Sequence, residues 1–574
     1  MPKIKITLNN REIECKSGET ILNVAKRHGI DIPSLCHHPE YKTKNHCNLC
    51  IVKIAGEKDL VRACETKVQA GQNISISSEE IGIARKNNLE AILKQHLFEC
   101  DDCVWFKHCR LLELTKRFKA LPFKEKNPQD NVIQVGSIIF DQTKCIGCGR
   151  CVHVCPTKFL SLDKREKVIL SKKTDCTNCG QCILACPVGA IEAVGEFEEL
   201  KNLLADKEKI KVAQFAPSIR TSLSEALNLP AGKIMTGQLV AGLKKLGFDY
   251  VFDTAVGADF TTSEEAVELI ERLTSRKNLP AMSSCCPAWV KFLEFEFPEF
   301  IPNLCTSRSP QSILGGIIKK FWAPSINKRP QEIYLVSIMP CTAKKFEIKR
   351  QELGFDSIPI VDEVLTTREL LRLFGDQKID LKTIASVPTD KPYGEPSGAG
   401  TIYGSSGGVF ESALRTAYFN MTGKNLSANA VLPLRGQKSI KTMEINIDNK
   451  KIKVAVVNGL KNARKVLKQL KKTANLYDAV EVMACPVGCV GGGGQPMPVA
   501  KEKVKARSES LYQLDKKIQQ KSAHENSAIK DAYATFFKDK KNREDFLHTH
   551  FYQRGKSSQQ EIIDSRKSLI IDTK

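Results

Sequence analysis

The sequence predicts an α+β multidomain protein, and three observations predict it. At 574 residues the chain is long enough for several domains. Its first 200 residues carry short strand-like runs broken by cysteine-rich loops. Beyond residue 205, hydrophobic β-rich runs alternate with helical patterns. The composition, 42% hydrophobic and 26% charged, excludes a disordered chain. No run reaches the roughly 18 apolar residues of a membrane span, and MPKIKITLNN lacks the apolar core of a secretory signal. A cytoplasmic address is therefore expected, and there 22 cysteines point to metal binding rather than to disulfides.

Residues 1–80 open with KIKITLNN and REIECK, two short alternating strands around an Asn-Asn turn, then a helix from Thr20 to about His28 stopped by Gly29. Cys36, Cys47, Cys50 and Cys64 follow as C-x10-C-x2-C-x13-C on loops around the strand CIVKIAG. Plant-type 2Fe-2S ferredoxins also use four thiolates with one C-x2-C pair, but with a shorter first loop. The expectation is a 2Fe-2S ferredoxin-like domain of the β-grasp type, and a structural zinc site is the bland alternative. In residues 81–125, HLFECDDCVWFKHC places His96, Cys100, Cys103 and Cys109 as H-x3-C-x2-C-x5-C. Three thiolates and an imidazole hold either zinc or a 4Fe-4S cluster, and the neighbouring motifs favour iron. FKALPFKEKNPQDN then reads as a linker.

Residues 135–200 carry the most specific signal, CIGCGRCVHVCP followed by CTNCGQCILACP. Each fits C-x2-C-x2-C-x3-C-P, in which the fourth cysteine ligates the other cluster. Cys145, Cys148, Cys151 and Cys186 would hold one 4Fe-4S cube, and Cys176, Cys179, Cys182 and Cys155 the other. With one 2Fe-2S and three 4Fe-4S clusters, the front of the chain is a wire for single electrons. Such a wire needs a terminus.

Residues 205–500 supply candidates for it. KVAQF ends at residues 216–218, IYLVSIM before Cys341 and AVEVMA at Cys485, and ligand sites in α/β sheets lie beyond the carboxyl ends of strands. SSCCPAW carries Cys285 and Cys286, MPCTAKK carries Cys341, and EVMACPVGCVGGGGQP carries Cys485 and Cys489 before four consecutive glycines. Those five thiols are one more than a 4Fe-4S cluster requires. Residues 501–574 read as a C-terminal helical extension.

SSCCPAW, MPCTAKKFE and EVMACPVGCVGGGGQP resemble the three signature segments of the iron-only (FeFe) hydrogenases. RSPQS, SGAGTIYGSSGGVFESALR and SAHENSAIKDAY are similar to further family segments, and the accessory-cluster front is similar to that of the large clostridial-type monomeric enzymes. The resemblance implies an H-cluster, a 4Fe-4S cube joined through a cysteine sulfur to a diiron unit with CO, cyanide and a dithiolate bridge. Cys286, Cys341 and Cys485 match its terminal ligands and Cys489 the bridging one. Reversible reduction of protons to H2 would follow, with the protein supplying ligation, protons and electrons.

By the same resemblance Cys285 passes protons to the dithiolate, and Glu265, Glu268 and Arg272 match the family's proton path. Their spacing of i, i+3 and i+7 suits one helix face, which by itself is better explained by a solvated surface; the match to the family's path is what turns the reading to proton transfer. Cys305 falls where serine is common, and TTSEEA replaces an Ile-Met pair before the acids. Lys344 matches a donor to a cyanide ligand, while Met339, Met483, Pro217, Ser218 and Gln311 match other pocket positions. Ala343, Ser283 and Pro486-Val487 are departures from the family pattern. Rival readings are a complex I-like electron-transfer subunit, a hydrogen sensor and a subunit of a nicotinamide-linked complex. No G-x-G-x-x-G lies between a strand and a helix. The net charge of +22, with the basic amphipathic run LKNARKVLKQLKKTA, predicts an acidic partner such as a ferredoxin. No motif supports nucleic-acid or membrane binding, and a diiron unit implies maturation proteins.

Overall fold

The computed structural model describes residues 2–38, 46–94, 96, 100, 103–105, 108–121, 132–164, 167–195, 197–206, 208–391, 393–448, 450–473 and 475–555. Most of the expected linker, from residue 122 on, lies outside them, as do residues 556–574 of the C-terminal extension. The chain divides into two compact units. The first comprises Met1–Gln134, Ile139–Thr174 and Gln181–Glu192, and the second comprises Val135–Ile138, Asp175–Gly180 and Ala193–Lys574.

The first unit begins with β1 (Lys3–Leu8) and β2 (Arg11–Lys16), joined through Asn9 and Asn10 at φ 51° and 66°. Asparagine tolerates that left-handed geometry, which matches the strand twist and closes the hairpin in two residues. Helix α1 (Ile21–Arg27) starts where the Thr20 hydroxyl accepts from Asn23 N, and it buries Ile21, Leu22, Val24 and Ala25. Strands β3 (Ile51–Ile54), β4 (Val61–Arg62) and β5 (Asn73–Ser75) complete a mixed sheet in the order β2-β1-β5-β3-β4. One helix on a mixed five-stranded sheet leaves the cysteine loops at its edge, where Cys36, Cys47, Cys50 and Cys64 are all buried. Helices α2 (Glu79–Leu93) and α3 (Arg110–Arg117) follow, and the Cys109 thiol caps α3 by accepting from Leu112 N. The short helices α4 (Arg150–Val154) and α5 (Gln181–Ala185) each lie inside one of the repeated four-cysteine runs.

The second unit holds two four-stranded sheets. In one, β6 (Ile210–Phe215), β7 (Tyr250–Asp253), β9 (Ile333–Met339) and β10 (Glu363–Thr366) run parallel in the order β7-β6-β9-β10, where β8 (Ala281–Met282) belongs to the other sheet. Val212, Phe215, Leu335, Val336 and Ile338 are wholly buried, each worth about 1.5–3 kcal/mol, which is why these strands read as continuous apolar runs. The other sheet has the order β8-β13-β12-β11, with β11 (Ile440–Ile447) and β12 (Lys450–Asn458) forming a hairpin beside parallel β13 (Ala479–Met483).

Helices connect these strands. They include α6 (Ile219–Ala226), α7 (Ala255–Ser275), α8 (Pro287–Glu296), α9 (Pro310–Ile317), α10 (Ala343–Glu347), α11 (Gly408–Thr422) and α12 (Leu460–Leu470). After the last strand come α13 (Lys501–Lys517), α14 (Ser527–Thr535) and α15 (Lys540–Leu547). The buried Arg507 fastens α13 to the body: its guanidinium donates to both oxygens of Glu225 at 2.7 Å and to the Val490 carbonyl at 2.6 Å. Among the described residues no helix is long and apolar enough to cross a membrane.

Candidate active site

Three strand ends bring four thiols together. Cys286 follows β8 and immediately precedes α8, whose first residue is Pro287, and Cys341 follows β9 by two residues. Cys485 follows β13 by two residues, and Cys489 opens the next turn. The four lie within electrostatic reach of one another, since burial pushes each thiol up and the others add to it for Cys341, Cys485 and Cys489. Cys341 is pushed up to about 12. A nest of thiols that resist ionisation becomes a set of thiolates once iron replaces their protons, so the donor set fits an iron–sulfur group.

The glycines beside this nest serve close approach rather than unusual backbone angles, because none of Gly491–Gly494 has a positive φ. A Cβ on Gly492 would stand 2.2 Å from the Pro340 carbonyl oxygen, one on Gly493 2.4 Å from that of Cys179, and one on Gly494 2.8 Å from Thr366 Cβ. These glycines press on neighbouring main chain, because three loops must share the space around one ligand set. Gly180 makes the same approach from the other side, its missing Cβ lying 2.6 Å from Thr342 Oγ1, and that hydroxyl donates to the Asn178 carbonyl at 2.6 Å. Cys179 is thus close enough to Cys485 to act on its charge.

Lys344, on α10, donates to the Cys285 carbonyl at 3.3 Å and to Glu347 Oε2 at 2.7 Å. Burial pulls the ammonium down, but Glu347, with the nearby thiols, holds it above its usual range. Glu347 Oε2 also accepts from Ser309 Oγ at 3.0 Å and Gln311 Nε2 at 2.9 Å. Gln311 Oε1 and Ser218 Oγ, both buried, have no partner among the described residues, as suits polar atoms that face a bound group. Pro217 offers its carbonyl to Arg220, and Met339 and Met483 are buried. Met483 packs with Ala258, Val409, Tyr403 and Cys285.

On α7, Glu265 is completely buried, and burial, then the charges of Glu268 and Glu481, push it up to about 8. Ser307 Oγ lies 3.4 Å from its Oε1, and Oε2 has no partner among the described residues. Glu268 pairs with Arg272 through Oε1, while Oε2 accepts from Thr306 N at 2.9 Å. Arg272 also donates to three carbonyls, those of Asn278, Asn303 and Leu304. Cys305 sits in an apolar cluster near both acids, its thiol pushed up by burial and then by Glu268 and Glu265. Sequence reasoning missed Ser307, Glu347 and the Tyr403 hydroxyl, which lies 2.8 Å from Thr262 Oγ1. The signal for Glu347 was its i, i+3 spacing from Lys344; Thr262 stands in the TTSEEA departure.

In the first unit, Cys36 and Cys47 lie 3.3 Å apart, and the free thiols of Cys50 and Cys64 share a hydrogen bond. Cys151 feels Cys186, Cys148 and Cys145, so the fourth cysteine of the second run sits with the first three of the other. The His96 ring bonds the Val188 carbonyl at 3.2 Å, and Trp105 Nε1 donates to the Cys186 carbonyl at 2.8 Å. Cys103 and Cys109 are near one another, and Cys109 near Cys100. Cys148 feels Cys47. Two cysteine groups therefore approach the Cys145–Cys148–Cys151–Cys186 group.

Fold and site together define an iron–sulfur oxidoreductase with a terminal thiol site beyond three strand ends. Residues 209–493 match the iron only hydrogenase large subunit, C-terminal domain, and 501–554 the iron hydrogenase small subunit. Residues 2–79 match a 2Fe-2S iron-sulfur cluster binding domain and 144–190 a 4Fe-4S dicluster domain. Iron hydrogenase 1 of Clostridium pasteurianum is 37% identical over 93% of this chain and 96% of its own length. NADP-reducing hydrogenase subunit HndD of Solidesulfovibrio fructosivorans is 35% identical over 96% and 100%. The apo [FeFe]-hydrogenase HydA1 of Chlamydomonas reinhardtii superposes with TM-score 0.57 at 35% identity, over 63% of this chain and 100% of its own. The chain belongs to the iron-only hydrogenases, oxidoreductases acting on H2, with the 2Fe-2S, 4Fe-4S and H-cluster cofactors of that family.

Proposed function

We propose that this chain reversibly reduces protons to H2 at Cys286, Cys341, Cys485 and Cys489, fed by one 2Fe-2S and three accessory 4Fe-4S clusters. The observation that carries the reading is that four thiols from three chain segments lie within electrostatic reach of one another and of Lys344, which donates to the Cys285 carbonyl. Bound there, the H-cluster supplies the iron at which protons and electrons combine. The protein's part is to hold that group, with Lys344 kept cationic by Glu347 and Gln311 and Ser218 offering polar atoms. Cys285, Glu265 and Glu268 move protons, and Arg272 holds Glu268. Cys305 lies near both acids and can relay a proton, although its thiol is a weaker donor than a hydroxyl.

In this reading the domains are 1–80 (2Fe-2S), 81–125 (His/Cys3 cluster), 135–200 (two cubes), 205–500 (H-cluster) and 501–574 (helical extension). Cys36, Cys47, Cys50 and Cys64 ligate the first cluster, and His96, Cys100, Cys103 and Cys109 the second. Electrons reach the site from the cube whose ligand is Cys179, because Gly493 rests on that residue's main chain. The protein works in the cytoplasm with a ferredoxin-like acidic carrier and receives its diiron unit from maturation proteins. The full-length match to HndD, a subunit by its name, makes native mass the test of any larger assembly. Infrared bands of CO and cyanide in protein made with maturation enzymes, together with H2 evolution from reduced dye, test the core of the reading. Matured protein that shows cubane signals alone and makes no gas refutes it.

A further inference from the structure

Next to Glu265 on α7 stands a second buried acid, Glu264, which the proton path above does not use. Arg543 Nη2 lies 3.0 Å from Glu264 Oε2, the Tyr533 hydroxyl donates to Oε1, and His548 Nε2 lies 2.9 Å from Oε2. Burial raises this carboxyl, but the three donors together hold it below the usual carboxylate range. The other nitrogen of the same imidazole, Nδ1, is 2.9 Å from Thr306 Oγ1, and that hydroxyl is 3.4 Å from Glu268 Oε2. The alignment is built by main chain. Ser307 and His548 form an antiparallel bridge, with Arg308 N donating to the Leu547 carbonyl at 2.7 Å and Thr549 N to the Thr306 carbonyl at 2.8 Å. His548 is 24% exposed, and Glu268 and Thr306 line a cavity of about 520 Å³ together with Thr549 and His550.

The tautomer follows from these partners. An ionised Glu264 accepts only, so Nε2 carries a hydrogen and Nδ1 is the nitrogen that gains and loses a proton. With the ring neutral, Nδ1 accepts from the Thr306 hydroxyl. With the ring protonated, Nδ1–H donates to Thr306 Oγ1, and the hydroxyl hydrogen turns to Glu268 Oε2. That oxygen is the one available, because Oε1 is taken by Arg272. One proton taken up at His548 is thereby matched by one handed to Glu268, and Thr306 ends with the hydrogen it began with. The charged and titratable groups facing the ring are Glu264, Glu268 and Arg272 on α7, Tyr533 on α14, Arg543 on α15, and Arg308, whose Nε donates to the His548 carbonyl at 2.7 Å.

We propose that His548 is the outer proton station of this enzyme, exchanging protons with water and relaying them through the Thr306 hydroxyl to Glu268. The proposal rests on the reading of Glu265 and Glu268 as the proton path. Its test uses the fully matured enzyme with His548→Gln, Thr306→Val and, as reference, Glu268→Gln. Both relay variants should keep the CO and cyanide bands and lose turnover by about a hundred-fold, the low end of what a positioned proton-transfer group contributes. Added imidazole should restore His548→Gln and leave the unaltered enzyme unaffected. If His548→Gln loses its bands, Thr306→Val decides, because it keeps the main-chain bond to Glu268 and removes only the hydroxyl. Normal turnover in both relay variants beside an inactive Glu268→Gln overturns the proposal and leaves the path standing, with protons entering Glu268 from the cavity. Loss of turnover that imidazole does not restore assigns His548 a structural role and also overturns it. A fully active Glu268→Gln overturns the path and the proposal together.

Discussion

Replacing Glu265 by glutamine should stabilise the protein while stopping its chemistry. The carboxyl is held at about 8 against an ordinary 4.5, chiefly by burial. At 1.36 kcal/mol per pH unit, its ionisation in place costs at most about 5 kcal/mol. The sign is fixed by linkage: below the unfolded value both states are protonated and there is no penalty. Between that value and the folded one, the unfolded chain ionises while the native one does not, so stability falls as pH rises. Above about pH 8 the penalty is complete. Glutamine, an isostere of the neutral acid, removes it. Glu265→Gln should therefore match the unaltered protein near pH 4.5 and exceed it by roughly 3 kcal/mol near pH 7. Anaerobic thermal melting across this range reads the difference, and difference infrared spectroscopy should show a protonated-carboxyl band at pH 7 that the variant lacks. Turnover should fall by about a hundred-fold or more, since an amide carries no proton onward. Melting curves of the two proteins that run parallel with pH, or an ionised Glu265 at pH 7, would refute the argument.

Other substitutions separate neighbouring roles. Cys285→Ala should keep every cluster signal and lose most turnover, whereas Cys489→Ala should lose the diiron unit; equal cluster loss in both, read by infrared and electron paramagnetic resonance, would show the two thiols wrongly assigned. Gly493→Ala puts a methyl 2.4 Å from the Cys179 carbonyl and 2.7 Å from Gly180 Cα, both main chain, at a cost of about 1–3 kcal/mol. Dye-driven turnover should drop and the cube signals broaden, and an unaltered electron paramagnetic resonance spectrum would mean that the two loops are not in enforced contact. Salt should slow ferredoxin-linked turnover far more than turnover with a small neutral dye, because the screening length contracts from about 10 Å at 0.1 M to about 3 Å at 1 M. Equal sensitivity of both donors would remove charge from docking. The exposed lysines of α12, Lys461, Lys465 and Lys468, are the first to neutralise in that assay.

What the sequence discloses about this molecule is set by distance along the chain. Ligand spacing is local, so the paired cysteine runs are legible, as are the Asn-Asn hairpin and the α1 cap at Thr20. Cys485 and Cys489 are legible for the same reason, and their partners only through a family resemblance. The contacts that define the protons' surroundings are remote: Thr306 meets His548 across 242 positions and Glu264 meets it across 284. No periodicity encodes such a meeting, because it depends on a main-chain bridge formed only when the C-terminal segment docks. The four glycines illustrate the intermediate case. Their need for close approach is written in the residue type, while the identity of what approaches, Pro340, Cys179 and Thr366, belongs to the folded state.

The grip of Arg507 bears on how such a protein can be divided among genes. A buried guanidinium that spends its donors on Glu225 and Val490 holds α13 by contacts that do not require peptide continuity at residues 499–500. The same contacts would be open to a tail made as a separate polypeptide. What one ribosomal product adds is supply: each catalytic body emerges with its own tail at high effective concentration, and no copy waits for a partner to diffuse in.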